Sequence, residues 1–304
     1  MEKFDVIIIG GGTAGLSAAL TLGRSRKRTL VCGSGAPRNA PSYEAHNLFT
    51  RDGTSPMELL RIGQEQLVPY GSVEFRPEQA VHADQRDGIF EVTLESGAQV
   101  EARRLLLATG VTDELPAIEG LQELWGVSAL HCPYCHGWEV QDEPIALLGN
   151  GEVGFDLGIL IKGWSHDLVL CIDGIADLTE EQRLLLLKNN IPVREERIAR
   201  FEGKDGHLET IVFEDGSVLS RSAIFLRAPQ QQRSNLPELL GCDIEGGFVK
   251  VDSFGRTSVR GIYAAGDMGT PLHQLSYAAF SGACAGSFLN KELLDEDFNS
   301  TSDS

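Results

Sequence analysis

The chain has 304 residues, of which 42% are hydrophobic and 23% are charged, so it is long enough for a large core and about two domains. Asp and Glu outnumber Lys and Arg by 44 to 26, which gives a formal charge of −18. Such a surface repels phosphate backbones and anionic lipids, so we expect neither a nucleic-acid partner nor a membrane-surface role.

The N-terminal region has no feature of an export signal. Its apolar run, residues 5–9, is too short for the core of a signal peptide and leads into glycines. No apolar run approaches the roughly 20 residues of a transmembrane helix. We therefore expect a cytoplasmic protein, whose six cysteines do not form a disulfide scaffold.

The first 32 residues have the pattern of a strand, a glycine turn, a helix and a second strand. The turn contains the G-x-G-x-x-G motif at Gly10, Gly12 and Gly15. In this context the glycines permit a tight turn, close approach of a pyrophosphate to the backbone, and helix–strand packing. The motif predicts a dinucleotide site, with an ordinary glycine turn as the alternative. At the end of the second strand, where dinucleotide-binding folds often have an acid that binds a ribose, this chain has Gly33. Ribose recognition must therefore come from elsewhere or from the backbone.

The next segment contains signals for a helix and a hairpin. The sequence from Ser55 to Glu58 has the form of a capping box with Pro56 at the first helical position, and predicts a helix ending near Gly71. Alternation over residues 88–107 predicts a β-hairpin, and its second strand ends in a small turn at residues 108–110.

The run Cys132-Pro133-Tyr134-Cys135-His136 is the chemical centre of the sequence. Two thiols three residues apart at a helix start can close a small disulfide, and the helix N-terminus stabilises a thiolate. Three other interpretations of the pair are disfavoured. A zinc site would need a second ligand pair at a compatible spacing, and c-type haem attachment would need an export signal. In a glutaredoxin the motif lies at the start of the domain, whereas here 131 residues precede it. We expect redox exchange with a bound flavin and no metal, with buried structural cysteines as the alternative.

The strand, glycine turn and helix then recur. The motif is repeated at Gly149, Gly151 and Gly154, between predicted strands at residues 144–148 and 167–172. Asp173 follows the second strand, where a carboxylate suits a free ribose 2′-hydroxyl and repels a 2′-phosphate. A nicotinamide nucleotide bound here would be NADH rather than NADPH, and the alternative is a fold retained without nucleotide binding.

The C-terminal part predicts a strand, a helix and a tail. Residues 261–267 predict a strand that ends in Gly266 and Asp267, and a helical pattern runs from Gln274 to Leu294. The acidic, Ser-rich residues 295–304 predict a frayed tail, and the alternative is that Phe298 folds over a flavin.

The first glycine motif, Ala108-Thr109-Gly110, the Cys pair, the second glycine motif and Ala265-Gly266-Asp267 occur in this order, and together they resemble the low-molecular-weight thioredoxin reductase family of flavoproteins over residues 5–294. The resemblance implies an α/β fold of two Rossmann-like, three-layer ββα nucleotide-binding domains, the second inserted into the first. The FAD-binding domain would comprise residues 1–116 and 246–304, and the pyridine-nucleotide-like domain with the Cys pair residues 117–245. The resemblance also implies a homodimer.

The resemblance further implies roles for single residues. Cys135 faces the flavin and Cys132 attacks the partner disulfide, while Asp267 holds the ribitol or phosphate side of FAD. His46, Arg51 and Asp52 lie in a loop that reaches the flavin in relatives. The implied FAD-binding residues are Gly10, Gly12, Ala14, Gly15, Gly33, Arg38, Asn47, Ala108, Thr109, Gly110, Gly266, Asp267, Gln274 and Leu275.

Two departures resemble a side branch of that family. His136 stands where ordinary thioredoxin reductases have Asp, and residues 171–174 replace the His-Arg-Arg run that binds the NADPH 2′-phosphate. The branch includes dithiol oxidases of gliotoxin and holomycin type and flavoproteins that use NADPH poorly. The use of NAD(P)H therefore stays open.

These features predict an FAD-dependent disulfide oxidoreductase of thioredoxin-reductase type. Cys132 and Cys135 exchange electrons with a thioredoxin-like protein or a small-molecule disulfide, and His136, with an ordinary pKa near 6.5, transfers the proton. His131 is the alternative acid–base group. The main alternative function is an oxygen-dependent oxidase of a small-molecule dithiol. A flavin-binding sensor and a simple NADH or NADPH oxidase are further alternatives.

Overall fold

The structure, a computed structural model, describes residues 1–33 and 36–300. The elements of its first part are β1 (Glu2–Ile9), α1 (Thr13–Arg24), β2 (Thr29–Cys32), α2 (Pro56–Glu65), β3 (Val73–Arg76), β4 (Ala80–Arg86), β5 (Ile89–Leu94), β6 (Gln99–Leu107), β7 (Val111–Asp113), α3 (Leu121–Leu124), β8 (Ala129–Leu130) and α4 (Pro133–His136). The remainder comprises β9 (Ile145–Leu148), α5 (Gly151–Ile161), β10 (Leu168–Cys171), α6 (Glu180–Lys188), β11 (Val193–Arg194), β12 (Ile198–Lys204), β13 (His207–Phe213), β14 (Val218–Ser220), β15 (Ala223–Leu226), β16 (Gln230–Gln232), α7 (Leu236–Leu239), β17 (Ile244–Glu245), β18 (Phe248–Val249), β19 (Ile262–Ala264) and α8 (Leu275–Ser300).

The first unit is built on a sheet with the order β3-β2-β1-β6-β5-β4, to which β19 adds by pairing with β6. Its two central strands, β1 and β6, end in buried apolar runs because both faces of the sheet are covered there. Ile7 and Leu105 point into one core, whereas Ile8 and Leu106 point into another that is shared with α1 and α8. Since β19 lies beside β6, the C-terminal segment returns to the sheet that the N-terminal segment began.

The second unit is built on a parallel sheet with the order β11-β10-β9-β15-β8. One face packs on α5 and α6 through residues such as Leu157 and Leu186. The opposite face packs on the antiparallel strands β12, β13 and β14 through residues such as Phe201 and Ile211. The layers are thus sheet, sheet and helix, and the predicted α/β class with Rossmann-like units is confirmed.

The chain crosses between the two units more than once. The strands β7 and β16 pair with each other at one crossing. Leu236 and Cys242, which precede the predicted domain boundary at residue 246, pack in the core of the first unit. No helix among residues 1–33 and 36–300 is long and apolar enough to cross a bilayer.

The predicted end of α2 was wrong. The helix ends at Glu65 rather than near Gly71, because Pro69 disfavours helical backbone at the residue before it. Only half of the predicted capping box forms: the Ser55 hydroxyl accepts a hydrogen bond from the Glu58 amide, but the Glu58 carboxylate pairs with Arg61 instead.

The prediction of a frayed tail from residue 295 was also wrong as far as Ser300, because α8 continues to that residue. Arg103 pairs with Glu296 at 2.8 Å and with Asp297 at 2.7 Å, which fixes the last turns of α8 on β6. Phe298 lies on this helix with 77% of its surface exposed. Residues 301–304 of the predicted tail lie outside the described residues.

Candidate functional site

The first glycine turn is shaped by close backbone contacts. Gly10 has a φ of +122°, and a Cβ atom there would lie 2.1 Å from the carbonyl oxygen of Ala108. A Cβ atom on Gly15 would lie 1.9 Å from the Gly10 carbonyl oxygen, so α1 packs directly on the turn. Around Gly12, by contrast, no described atom lies within 4 Å of the Cβ position. The turn is therefore open where a phosphate would approach the first amides of α1.

The missing ribose acid at Gly33 has a packing reason. A Cβ atom at Gly33 would lie 2.5 Å from the backbone nitrogen of Gly11. The end of β2 thus lies against the glycine turn too closely for any side chain. The sequence shows that no acid stands at residue 33, and this close approach explains why only glycine fits there.

A cavity of about 470 Å³ begins at this turn and extends to the Cys pair. His273 borders it, and its Nε2 is a buried atom that lacks a hydrogen-bond partner within the described part of the chain. Open amides at one end and an unsatisfied nitrogen along the wall fit a long polar ligand such as a dinucleotide. The predicted residues that line the cavity are Gly10, Gly12, Ala14, Gly33, Arg38, His46, Asn47, Ala108, Thr109, Gly110, His131, Cys135, His136, Gly266, Asp267, Gln274 and Leu275.

Arg38 is held between two carboxylates in the cavity wall. Its guanidinium forms two hydrogen bonds to Asp113, of 2.7 Å and 2.5 Å, and a third of 3.3 Å to Asp267. Burial raises the pKa of Asp113, but the hydrogen bonds and charge of Arg38 outweigh it and hold that pKa below its ordinary value. Sequence analysis named Arg38 and Asp267 but missed Asp113, whose only signal was its place just after Gly110.

The Cys pair forms a disulfide at one end of the cavity, with 5.3 Å between the two Cα atoms. Cys132 caps α4, which is a single turn, so the thiolate stabilisation expected from a helix N-terminus comes from a few amides only. Cys135 lines the cavity, and Cys132 is not among the residues that line it. The two sulfur atoms are therefore inequivalent, and Cys135 is the inner one.

Two histidines beside the disulfide are kept neutral by burial. Burial, with a smaller contribution from the neighbouring His46, lowers the pKa of His136 to about 4. Burial also lowers the pKa of His131 to about 4, with Arg38 as the next cause. The predicted pKa near 6.5 for His136 was therefore wrong, because the prediction took no account of desolvation. At neutral pH both rings are therefore uncharged. Each has one ring nitrogen that can accept a hydrogen bond, and neither is an imidazolium that could act as a general acid.

His46 connects the loop before α2 to the segment after the Cys pair. Its Nε2 lies 3.3 Å from Glu139 and 3.5 Å from Glu44, and its Nδ1 lies 3.6 Å from Asp52. Its ring meets that of His136 edge-on, with 6.3 Å between the centroids. Four histidines line one cavity, since His273 and His131 join this pair. No cluster with the composition of a metal site occurs among residues 1–33 and 36–300.

The second glycine turn keeps the packing of the first. A Cβ atom on Gly154 would lie 2.5 Å from the Gly149 carbonyl oxygen, as in the first turn. Gly151 begins α5, with the side chain of Asn150 as its cap. Asp173 follows β10 as predicted, but one of its carboxylate oxygens accepts a 2.7 Å hydrogen bond from the amide of Ile198. The structure does not bring these residues to the cavity that holds Cys135.

The sequence matches the model of a protein family described as pyridine nucleotide-disulphide oxidoreductase, over residues 4–283. It is similar to thioredoxin reductase tcpT of Claviceps purpurea, with 34% identity over 95% of this chain and 94% of that protein. Among solved structures it is similar to HlmI, with 37% identity, a TM-score of 0.92, and coverage of 99% and 95% of the two chains. It is also similar to an oxidoreductase of Agrobacterium tumefaciens, with 33% identity, a TM-score of 0.91, and coverage of 96% and 99%.

Proposed function

Because the chain belongs to the pyridine nucleotide-disulphide oxidoreductase family, we propose that its Cys132–Cys135 pair carries electrons between a flavin in the cavity and a substrate disulfide or dithiol. The chain is a disulfide oxidoreductase of thioredoxin-reductase type, and FAD is its cofactor. One observation carries the proposal: Cys135 lines the same cavity as the open glycine turn at Gly12.

The residues of the first unit would hold FAD at both ends of the cavity. FAD, when bound, supplies a carrier of two electrons beside the disulfide. Gly12 leaves the first amides of α1 accessible to the pyrophosphate. Asp267 is oriented by its hydrogen bond from Arg38, and the unsatisfied Nε2 of His273 is available to a polar atom of the cofactor.

The disulfide exchange would proceed at the outer sulfur. When the enzyme reduces a substrate, the Cys132 thiolate attacks the substrate disulfide, forms a mixed disulfide and releases one substrate thiolate. Cys135 then attacks Cys132, which restores the Cys132–Cys135 disulfide and releases the second thiolate. His136, neutral at physiological pH, would accept a hydrogen bond from a thiol of the reduced pair. A pKa of about 4 makes it a weak base, so we assign it this positioning role and not that of a proton store.

Oxidation of a small-molecule dithiol is the second candidate, and the second glycine turn favours it. The residues of that turn do not line the cavity, and the amide of Gly151 at the start of α5 is already bonded to the side chain of Asn150. In this direction a substrate dithiol reduces the Cys pair, the pair reduces the flavin, and dioxygen takes the electrons.

A half-reaction separates the two candidates. The flavin of the purified enzyme is reduced with light under anaerobic conditions, and oxidised thioredoxin is then added. Reoxidation of the flavin with release of thioredoxin thiols in wild type, but not in Cys132→Ser, supports the reductase. Failure with every thioredoxin, together with dioxygen consumption on adding a dithiol, supports the oxidase.

We further propose a cytoplasmic homodimer with the inserted-domain arrangement. Four cysteines of the described chain, Cys32, Cys171, Cys242 and Cys284, are unpaired, which suits a reducing compartment. The exposed Phe280 on α8 and Met57 on α2 are large apolar side chains that a partner subunit could cover. Sedimentation equilibrium at a micromolar concentration tests the dimer, and a mass of one chain would contradict it.

A further inference from the structure

The same glycine motif occurs twice in this chain, so the first copy serves as an internal reference for the second. In the first copy Gly12 precedes α1, no side chain of the described residues caps the helix, and its first turn has no acid. In the second copy Asn150 caps α5, and Glu152 lies in the first turn. The third glycine of each motif, Gly15 or Gly154, packs against the carbonyl oxygen of the first. The turns differ at the first glycine, where Gly10 has a φ of +122° and Gly149 has no positive φ, and at the end that would meet a phosphate.

Asn150 uses its whole side chain within the protein. Its Oδ1 accepts hydrogen bonds of 2.8 Å from the amides of Gly151 and Asp177. Its Nδ2 donates a 2.7 Å hydrogen bond to the carbonyl oxygen of Ile175. The loop after β10 is thereby fastened across the start of α5. An amide that would bind a pyrophosphate oxygen in an open turn is already satisfied by the chain.

Asp177 places a negative charge on the same spot. A Cβ atom built on Gly151 would lie 3.3 Å from a carboxylate oxygen of Asp177 and 3.3 Å from its carbonyl oxygen. At such distances a pyrophosphate would meet both steric contact and charge repulsion. The carboxylate takes the position at the helix N-terminus that an anionic ligand would occupy.

The exclusion acts at the pyrophosphate and not at the ribose. The Arg197 guanidinium lies 3.8 Å from the Cβ position of Gly174, so a cation is near the place of a 2′-phosphate. The Ile198 amide donates to only one carboxylate oxygen of Asp173, Oδ1, so the other oxygen could accept a hydrogen bond from a ribose hydroxyl. NADH and NADPH differ at the ribose but share the pyrophosphate, so a block at the pyrophosphate would act on both.

We propose that Asn150 and Asp177 form a plug that closes the second glycine turn to any dinucleotide, so that neither NADH nor NADPH reduces the flavin through this site. The plug is independent of which substrate the Cys pair serves, and it rests on the proposed function only for the presence of the flavin. A fold that ordinarily admits an electron donor is thus closed by two of its own side chains.

Calorimetric titration of the flavin-loaded enzyme with NAD⁺ and NADP⁺ tests the plug, since the oxidised nucleotides bind without reacting. Wild type is expected to show no binding up to about 1 mM. Asp177→Asn removes the charge while keeping the backbone hydrogen bond to Asn150, and is expected to bind with a Kd of about 0.1 mM or less, at least about tenfold below the wild-type limit. The double variant Asn150→Gly, Asp177→Asn is expected to bind more tightly still. Asp167→Asn removes an equal charge at the start of β10, beside Arg221, and is expected to change nothing.

Micromolar binding of either nucleotide to wild type would overturn the plug. So would an Asp177→Asn variant with an unchanged circular dichroism spectrum that binds no better than wild type, or an equal gain in Asp167→Asn. Dithiol-driven bleaching of the flavin is measured on the same samples. If bleaching fails while the nucleotide results hold, the proposed function is wrong and the plug stands.

Discussion

Single residues divide the site into an inner and an outer sulfur. Cys135 lines the cavity and Cys132 does not, although the sequence places them symmetrically around Pro133 and Tyr134. Their order could be proposed before the structure only through the family resemblance. The cavity gives an independent physical reason, because only one of them borders the space for a flavin.

This inequivalence predicts different spectra for the two cysteine variants. Cys132→Ser leaves the thiol of Cys135 beside the flavin, and we expect new absorbance beyond about 500 nm as pH is raised and the thiolate forms. Cys135→Ser leaves a thiol outside the cavity, and its spectrum should not respond. Both variants should lose at least about a hundredfold in disulfide turnover. The assignment fails if Cys135→Ser gives the long-wavelength band and Cys132→Ser does not.

Burial of His136 predicts a loss of stability in mild acid. Its pKa is about 4 in the folded protein and about 6.5 when unfolded, so the unfolded state binds more protons between these values. The stabilisation is complete above pH 6.5 and is lost as pH falls towards 4. Between pH 7 and pH 5 wild type should lose about 2 kcal/mol more than His136→Asn. Urea unfolding of both proteins at the two pH values measures this difference. Equal losses in wild type and His136→Asn would show that the pKa of His136 is not lowered in the folded protein.

Secondary structure elements followed from the sequence where the pattern was local. The first glycine turn was predicted between two strands, and the structure places it between β1 and β2. The errors came from contacts that the pattern does not contain. The end of α8 was called a tail from its acidic composition, yet those acids pair with Arg103 and Arg104, about two hundred residues earlier in the chain.

The end of α8 therefore predicts a stability difference between two acids on that helix. Glu292 accepts a 2.9 Å hydrogen bond from Arg256 and lies 3.5 Å from the buried Arg104. Glu292→Ala should lower the free energy of unfolding by about 1–3 kcal/mol, because it leaves a buried cation short of a partner. Asp295→Ala removes only an exposed ion pair with Lys291 and should change the free energy of unfolding by less than about 0.5 kcal/mol. Chemical denaturation compares them, and equal effects would contradict this account of α8.

For the whole molecule, the sequence predicted the fold class and most of the candidate site, because both rest on glycine turns at strand ends. It could not predict which distant side chains meet. The contacts of Arg38 with Asp113 and of His46 with Glu139 join segments far apart in the chain, and no local pattern marks them. It also could not show that the second glycine motif is plugged, since Asn150 and Asp177 meet only through the fold of the loop that ends at Asp177.

The central claim is that a flavin and the Cys pair share one cavity and exchange electrons there. The direct measurement is anaerobic titration of the FAD-loaded enzyme with a dithiol, followed by flavin absorbance near 450 nm. Wild type is predicted to bleach fully with about four electrons per flavin, two for the Cys132–Cys135 disulfide and two for the flavin, and Cys132→Ser and Cys135→Ser are predicted to stay oxidised. Bleaching of both variants at the wild-type rate, or a protein that takes up no FAD, would contradict the claim.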